Sequence, residues 1–306
     1  MYLQHFHLSA EPFNIAPNPS MLFPSDRHQE AIGYLQHGLA GNGGFVMLTG
    51  EVGTGKTMVS RAVLGQLTND VNVAYILNPT LNKLQLLQTV CEAFELTIKH
   101  QVDHKVLSDL LQDFLLNQYN NGKRCVLVID EAQHLSVDAL ELLRLFTNIE
   151  TNERKLLQII LIGQPELQEK LNKRELRQLA QRITARYHLL PLTEFETFLY
   201  INHRIATVGG NRPLFEKRAM KQIFKLSGGT PRKINLLADR ALMGAFALNQ
   251  SQVNSKMVKQ AANEVFGQYQ SNDPSSSLLT KNVTTALFIS TLVLAVISTV
   301  LFVGRA

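Results

Sequence analysis

Between Gly44 and Leu190 the chain alternates short, unbroken apolar runs with longer stretches whose apolar residues recur every three or four positions. Such alternation predicts a mostly parallel sheet covered by helices. The runs at 45–49, 73–77, 125–129, 157–162 and 187–190 predict five strands, the last being the shortest. Helical spacing predicts helices over 83–94, 106–119 and 137–148 between them. Ahead of the sheet, Ser25 reads as an N-cap opening an amphipathic helix with Ile32, Leu35 and Leu39 on one face, closed by Gly41, Gly43 and Gly44. The stretch up to Pro24, punctuated by Tyr2, Phe6, Pro12, Phe13, Pro17, Pro19 and Phe23, reads as an extended segment laid over a neighbouring core.

Beyond Pro191 the strand pattern stops and helices are predicted at 194–207, 216–226, 232–248 and 255–266. The expected organisation is an N-terminal segment and helix over 1–43, an α/β core over 44–190, a helical subdomain over 191–266, and a flexible linker over 267–281. A C-terminal apolar helix over 282–303 completes it. From Val283 to Val303 no charge occurs, and Lys281 and Arg305 bracket the run. At 1.5 Å per residue it would span about 30 Å, the thickness of a bilayer's hydrocarbon core. A buried core helix seldom stays apolar on all sides for so long, so a single membrane span is expected. The N-terminus lacks the basic and apolar regions of a secretory signal. The two cysteines, Cys91 and Cys125, lack the pairing of metal or redox motifs. A net charge of +5 allows modest attraction to anionic surfaces without requiring it.

The chemistry concentrates after the predicted strands. Gly50-Glu51-Val52-Gly53-Thr54-Gly55-Lys56-Thr57 matches the phosphate-binding P-loop pattern, with an apolar strand before it and a helical stretch from Met58 after it. Gly50, Gly53, Thr54, Gly55 and Met58 would surround the phosphates with backbone N–H groups, Lys56 would reach the β and γ phosphates of ATP, and Thr57 would hold Mg²⁺. The strand at 125–129 ends in two carboxylates. Asp130 is placed to hold Mg²⁺, and Glu131 to orient the attacking water. Gln164, following the next strand, either senses the γ-phosphate or bonds to backbone. Lys170, Lys173, Arg174, Arg177, Arg182 and Arg186, with Leu171, Leu176, Leu179 and Ile183 opposite, read as a basic helix. Arg182, with Arg177 second, is the candidate guanidinium to reach a neighbouring subunit's ATP. Arg232, after Ser227-Gly228-Gly229-Thr230-Pro231, falls in the first turn of a helix, where a cation needs a compensating anion such as phosphate. His100 and His104 are spaced for a metal but have no further ligand nearby, and no nucleophile-elbow context appears.

Taken together these motifs resemble the AAA+ ATPases over Gly43 to Phe266. More narrowly, Met1-Tyr2-Leu3, Phe6, Pro12-Phe13 and Pro17 ahead of the P-loop resemble the general secretion pathway protein A (ExeA) family and its relative, the MSHA pilus biogenesis ATPase MshM. Asp130-Glu131-Ala132-Gln133, Ile162-Gly163-Gln164-Pro165-Glu166-Leu167 and Leu179-Ala180-Gln181-Arg182-Ile183 extend that resemblance. It implies a bacterial inner-membrane ATPase, its ATPase domain cytoplasmic. Such an enzyme binds and hydrolyses MgATP, forms a homo-oligomeric ring or dimer, and assists type IV pilus or type II secretion assembly proteins. Secretion members continue into a periplasmic cell-wall-binding domain, so a chain stopping soon after Val303 matches the pilus type better. Gln164 stands where many AAA+ proteins carry Asn, Thr or Ser. The alternative is a DNA-handling AAA+ ATPase of the transposition-helper kind, which shares the motifs and the basic helix.

Overall fold

The computed structural model describes residues 2–267 except 42, 78, 99–102 and 152–153. The apolar runs become one wholly parallel sheet of β1 (Gly44–Gly50), β2 (Val71–Ile76), β3 (Arg124–Ile129), β4 (Leu157–Gly163) and β5 (Ile183–Leu189), in the order β2-β3-β4-β1-β5. Around the sheet are α1 (Tyr2–Phe6), α2 (Asp26–Ala40), α3 (Lys56–Leu64), α4 (Lys83–Ala93), α5 (His104–Asn120), α6 (Val137–Phe146), α7 (Pro165–Leu171) and α8 (Arg177–Ala180). Four helices follow among the described residues: α9 (Glu194–Thr207), α10 (Lys217–Ser227), α11 (Pro231–Ala247) and α12 (Ser255–Phe266). Residues as far as Ala261 pack as one compact unit, and α12 runs past its end.

The period of two in the strands divides the core. Phe45, Met47, Leu127, Ile129, Ile159 and Leu161 face one layer, shared with buried residues of α4 to α8. Val46, Leu48, Val126, Val128, Ile160 and Ile162 face the other, shared with α2 and α3. Because both faces are covered, β1, β3 and β4 read as continuous apolar runs rather than as alternation. Parallel strands also deliver all their carboxyl ends to one edge. The register sets Thr49 beside Gly163 and Ile129 beside Leu161, so the P-loop, Asp130-Glu131 and Gln164 leave the sheet side by side.

Three expectations are corrected. The basic stretch is not one helix: α7 ends at Leu171, a 3-10 turn covers Arg174–Leu176, α8 has a single turn, and Arg186 lies within β5. The fifth strand starts at Ile183 rather than Tyr187. It is an edge strand, buried at Ala185 and Leu189 and exposed at Thr184, Arg186 and His188. A half-covered strand alternates, so its charges resembled a continuing helix face. The N-terminal segment is extended only in part, since Tyr2–Phe6 is helical and packs on α11, where the Tyr2 hydroxyl donates to Asp239 at 3.0 Å. The apolar span at 282–303 and the linker at 268–281 lie outside the described residues. Among the described residues no helix is long and apolar enough to cross a membrane.

The Gly228-Gly229 turn joins the helices to the sheet. The carbonyl of Gly229, at φ +74°, accepts from the Leu192 N–H at 2.9 Å, just after β5. A Cβ there would lie 1.9 Å from the Leu192 oxygen, whereas at Gly228, φ +60°, it would meet nothing within 4 Å. Gly229→Ala is therefore expected to destabilise by about 3 kcal/mol or more and Gly228→Ala by about 1 kcal/mol, as read from urea denaturation midpoints.

Candidate nucleotide-binding site

The loop after β1 turns on glycines. Gly53 and Gly55 have φ of +81° and +106°, and a Cβ on Gly55 would lie 2.9 Å from Nε2 of His28. Gly50 passes so close to Leu189 that a Cβ would come within 2.6 Å of its carbonyl oxygen. Buried Thr54 braces the turn, its hydroxyl donating to the Glu51 carbonyl at 2.9 Å. The N-cap of α3 is Gly55, which offers no side-chain cap, so the first-turn N–H groups of the helix stay available to an anion. Lys56 is only 6% exposed, and its Nζ donates to the carbonyls of Gly50 at 2.8 Å and Glu51 at 3.0 Å. Burial lowers its pKa, opposed by the charges of Glu131 and Asp130.

At the end of β3, Asp130 is buried and its Oδ2 accepts twice, from the Thr57 hydroxyl at 3.0 Å and the Tyr75 hydroxyl at 3.0 Å. Burial first and Asp130 second push Tyr75 up to about 12, so the phenol remains a donor. Glu131 takes the left-handed conformation, φ 55° and ψ 38°, at a cost of about 1–2 kcal/mol. Its Oε2 accepts from Nε2 of Gln133 at 2.5 Å and Nε2 of Gln164 at 3.1 Å. Partial burial raises its carboxyl pKa. The two amides and the Lys56 charge outweigh that and leave it below the ordinary value.

Over these elements lies a cleft of about 220 Å³. Lys56, Thr57, Met58 and Glu131 form one wall, Arg232 and Asn235 of α11 another, and the N-terminal segment around Ile15, Pro17 and Leu22 the third. Arg232 sits directly on the loop: its N–H donates to the Gly53 carbonyl at 3.2 Å, and a Cβ on Gly53 would strike its own Cβ at 2.6 Å. The N-terminal segment is held there by buried Arg204 of α9, which donates to the carbonyls of Pro12 at 2.5 Å and Asn14 at 2.9 Å. Ser25 caps α2 as expected, and its hydroxyl also meets Nδ1 of His28 at 2.6 Å while Nε2 lies 3.3 Å from the Thr54 carbonyl.

Gly50, Gly53, Thr54, Gly55, Lys56, Thr57, Met58, Asp130, Glu131, Gln164 and Arg232 thus gather at one edge of the sheet. Arg182 does not join them. It sits at the opposite edge, its carbonyl accepting from the Phe45 N–H at 3.1 Å. There its guanidinium donates to the Arg144 carbonyl at 2.9 Å, Thr147 at 2.9 Å and Asn148 at 2.5 Å, closing the C-terminus of α6. Arg177 opens α8. Among the described residues no group of three or more His, Cys, Asp or Glu side chains could hold a metal. His100 lies outside those residues. Sequence reasoning gave no site role to His28, Tyr75, Lys170 and Arg204, whose partners here are far away in the chain, nor to Gln133. Gln133 alone carried a signal, lying next to the paired carboxylates.

The residues fit a magnesium nucleotide. The uncapped helix, the glycine cradle and a buried ammonium answer a polyphosphate, and the hydroxyl and carboxylate oxygens of Thr57 and Asp130 are donors suited to a hard cation. Residues 39–171 match the family described as AAA domain. Over that stretch the chain carries an AAA domain. Over 267 residues, 87% of the chain, it is 51% identical to general secretion pathway protein A of Aeromonas hydrophila, of which it spans about half, 49%. Among solved structures, Cdc6p of Pyrobaculum aerophilum superposes with a TM-score of 0.65 at 16% identity, covering 81% of this chain and 71% of that one. The Drosophila ORC bound to DNA gives 0.63 at 19% identity, with coverages of 86% and 66%. The Aeropyrum pernix ORC2 protein in its ADPNP–ADP complexes gives 0.59 at 20% identity, with coverages of 84% and 72%. These likenesses show the AAA fold.

His28, packed under the P-loop of the AAA domain, has its pKa lowered by burial, with the Thr54 bond and Glu196 opposing. The unfolded chain protonates this residue near pH 6.5, where the folded chain resists. The contribution to stability is therefore complete above about pH 6.5 and falls as pH drops below it. Denaturation at pH 7 and pH 5.5 is expected to show the wild type losing up to about 1 kcal/mol more than His28→Gln.

Proposed function

We propose that the AAA domain hydrolyses MgATP at this edge and drives assembly work for a secretion or pilus machine from the inner membrane. The single observation that carries the chemical half is the convergence of Lys56, the Thr57–Asp130 pair and Glu131 on one cleft, from two strands distant in sequence. Loop and helix N–H groups around Gly53, Thr54, Gly55 and Met58 bind the phosphates, and Lys56 moves from its carbonyl partners to the outer ones. Thr57 and Asp130 would hold Mg²⁺, which when bound would neutralise charge on the phosphates. Glu131 orients and polarises the attacking water, with Gln164 beside it. Arg232, delivered by α11, closes on the phosphates. Arg182 belongs to the edge facing away from its own cleft, which suits a residue acting on a neighbouring subunit's nucleotide in a homo-oligomer.

The biological half rests on the 51% identity to general secretion pathway protein A and on the uncharged run from Val283 to Val303, long enough for a single-pass helix. With the AAA domain on the cytoplasmic, ATP-containing side, the partners are inner-membrane proteins of a type II secretion or MSHA-like type IV pilus system. The basic helix that favoured a DNA-handling reading is dispersed among α7, α8 and β5.

Glu131→Gln is expected to lower ATP turnover by about 10²-fold or more while nucleotide binding persists. Arg182→Ala is expected to do likewise, and mixing the two inactive variants should restore turnover through subunits carrying one intact site. Turnover that survives Glu131→Gln rules out the assigned base, and mixtures that stay inactive rule out action between subunits. The wild type should remain in the membrane pellet after alkaline carbonate washing, and a chain ending at Phe266 should not. Release of the wild type by that wash would remove the anchor.

A further inference from the structure

Gln133 is buried, 9% exposed, and its side chain occupies a prepared place between three elements. Its Oε1 accepts from the backbone N–H of Gln164 at 3.1 Å. That donor can only meet the oxygen, so the amide is oriented with Nε2 toward Oε2 of Glu131, 2.5 Å away. The space for Oε1 exists because position 163 is glycine: a Cβ there would lie 2.9 Å from that oxygen and 2.9 Å from Cδ2 of Leu167. Lys170 of α7 pins the turn from behind, its Nζ donating to the carbonyls of Gln133 at 2.5 Å and Leu135 at 2.7 Å. Gln164 adds the second amide donor to Oε2 at 3.1 Å. Both amide hydrogen bonds to the Glu131 carboxylate thus fall on Oε2, while Glu131 itself lines the cleft.

We propose that Gln133 is a positioning residue for ATP hydrolysis: it holds Glu131 by Oε2, ties it to the β4–α7 turn, and leaves Oε1 to the attacking water. The inference rests on the reading of Glu131 as the residue that activates water. A carboxylate anchored through one oxygen presents the other in a single direction, and the left-handed backbone of Glu131 needs outside contacts to persist. Gln133 supplies such a contact, and Gly163 and Lys170 hold Gln133 in place, all three from positions that do not line the cleft. Their effect should therefore fall on the chemical step and spare nucleotide capture.

The test compares the full-length wild type with Gln133→Met, which keeps the side chain's volume without its donor, with Gly163→Ala, and with the double variant. Steady-state turnover, binding of a fluorescent ATP analogue and melting temperature are measured on each. Gln133→Met is expected to lower kcat by about tenfold or more, with KM and analogue affinity within about twofold of wild type. Gly163→Ala, by displacing the Gln133 amide, should lower kcat similarly, and the double variant should be no slower than Gln133→Met alone because the donor that the added methyl displaces is already gone. Unchanged or raised kcat in Gln133→Met overturns the proposal, as does a loss confined to analogue affinity. If Gln133→Met melts below the assay temperature, Gly163→Ala decides by the same split. A wild type that binds the analogue without turning over ATP overturns the hydrolysis reading itself. Loss of the kcat effect alone leaves that reading standing.

Discussion

The hydrogen bond from the Thr57 hydroxyl to Oδ2 of Asp130, 3.0 Å long, joins the first turn of α3 to the end of β3 across the edge of the sheet. It exists because β1, β4 and β3 are adjacent, parallel and in fixed register, which leaves the ends of strands far apart in sequence as immediate neighbours. Everything else at the site hangs on that geometry. Tyr75 can share the same carboxylate oxygen only because β2 continues the sheet beside β3. Gln164 can reach Glu131 only because β4 separates β3 from β1.

Burial makes this edge electrostatically demanding. Lys56 and Asp130, 6% and 3% exposed, would each incur a large desolvation cost if unpartnered. Both are provided for, Lys56 by two loop carbonyls and Asp130 by two hydroxyls and the Glu131 N–H. These partners are neutral and hold by hydrogen bonds, so phosphate and cation can displace them without breaking a buried ion pair. The helices after β5 complete the cleft. Arg232 meets the P-loop through its own backbone N–H, and Arg204 clamps the N-terminal segment across the opening.

Much of the fold was legible because strands covered on both faces announce themselves as unbroken apolar runs. β1, β3 and β4 were found to within a residue or two, as were α9 and α11 through their helical spacing. β5 was misjudged at its start because an edge strand exposes one face, and Arg186 then resembles a member of a charged helix. The single turn of α8 and the 3-10 turn before it have too few residues to show a period. At the site, Gly50 to Thr57 and Asp130-Glu131 were visible because contiguous loops impose local spacing. His28, Tyr75, Lys170 and Arg204 were not, since each acts on a residue many positions away.

By itself the chain's sequence determined its elements, its phosphate loop and its paired carboxylates, because backbone propensity, side-chain period and loop geometry all operate over a few residues. Tertiary structure alone decided which strands are neighbours, that Arg232 leans on Gly53 while Arg182 closes a helix at the far edge, and that Gln133 meets the Gln164 N–H in the space left by Gly163. Those are contacts between distant segments. They follow from the order and register of the strands, which no local pattern encodes.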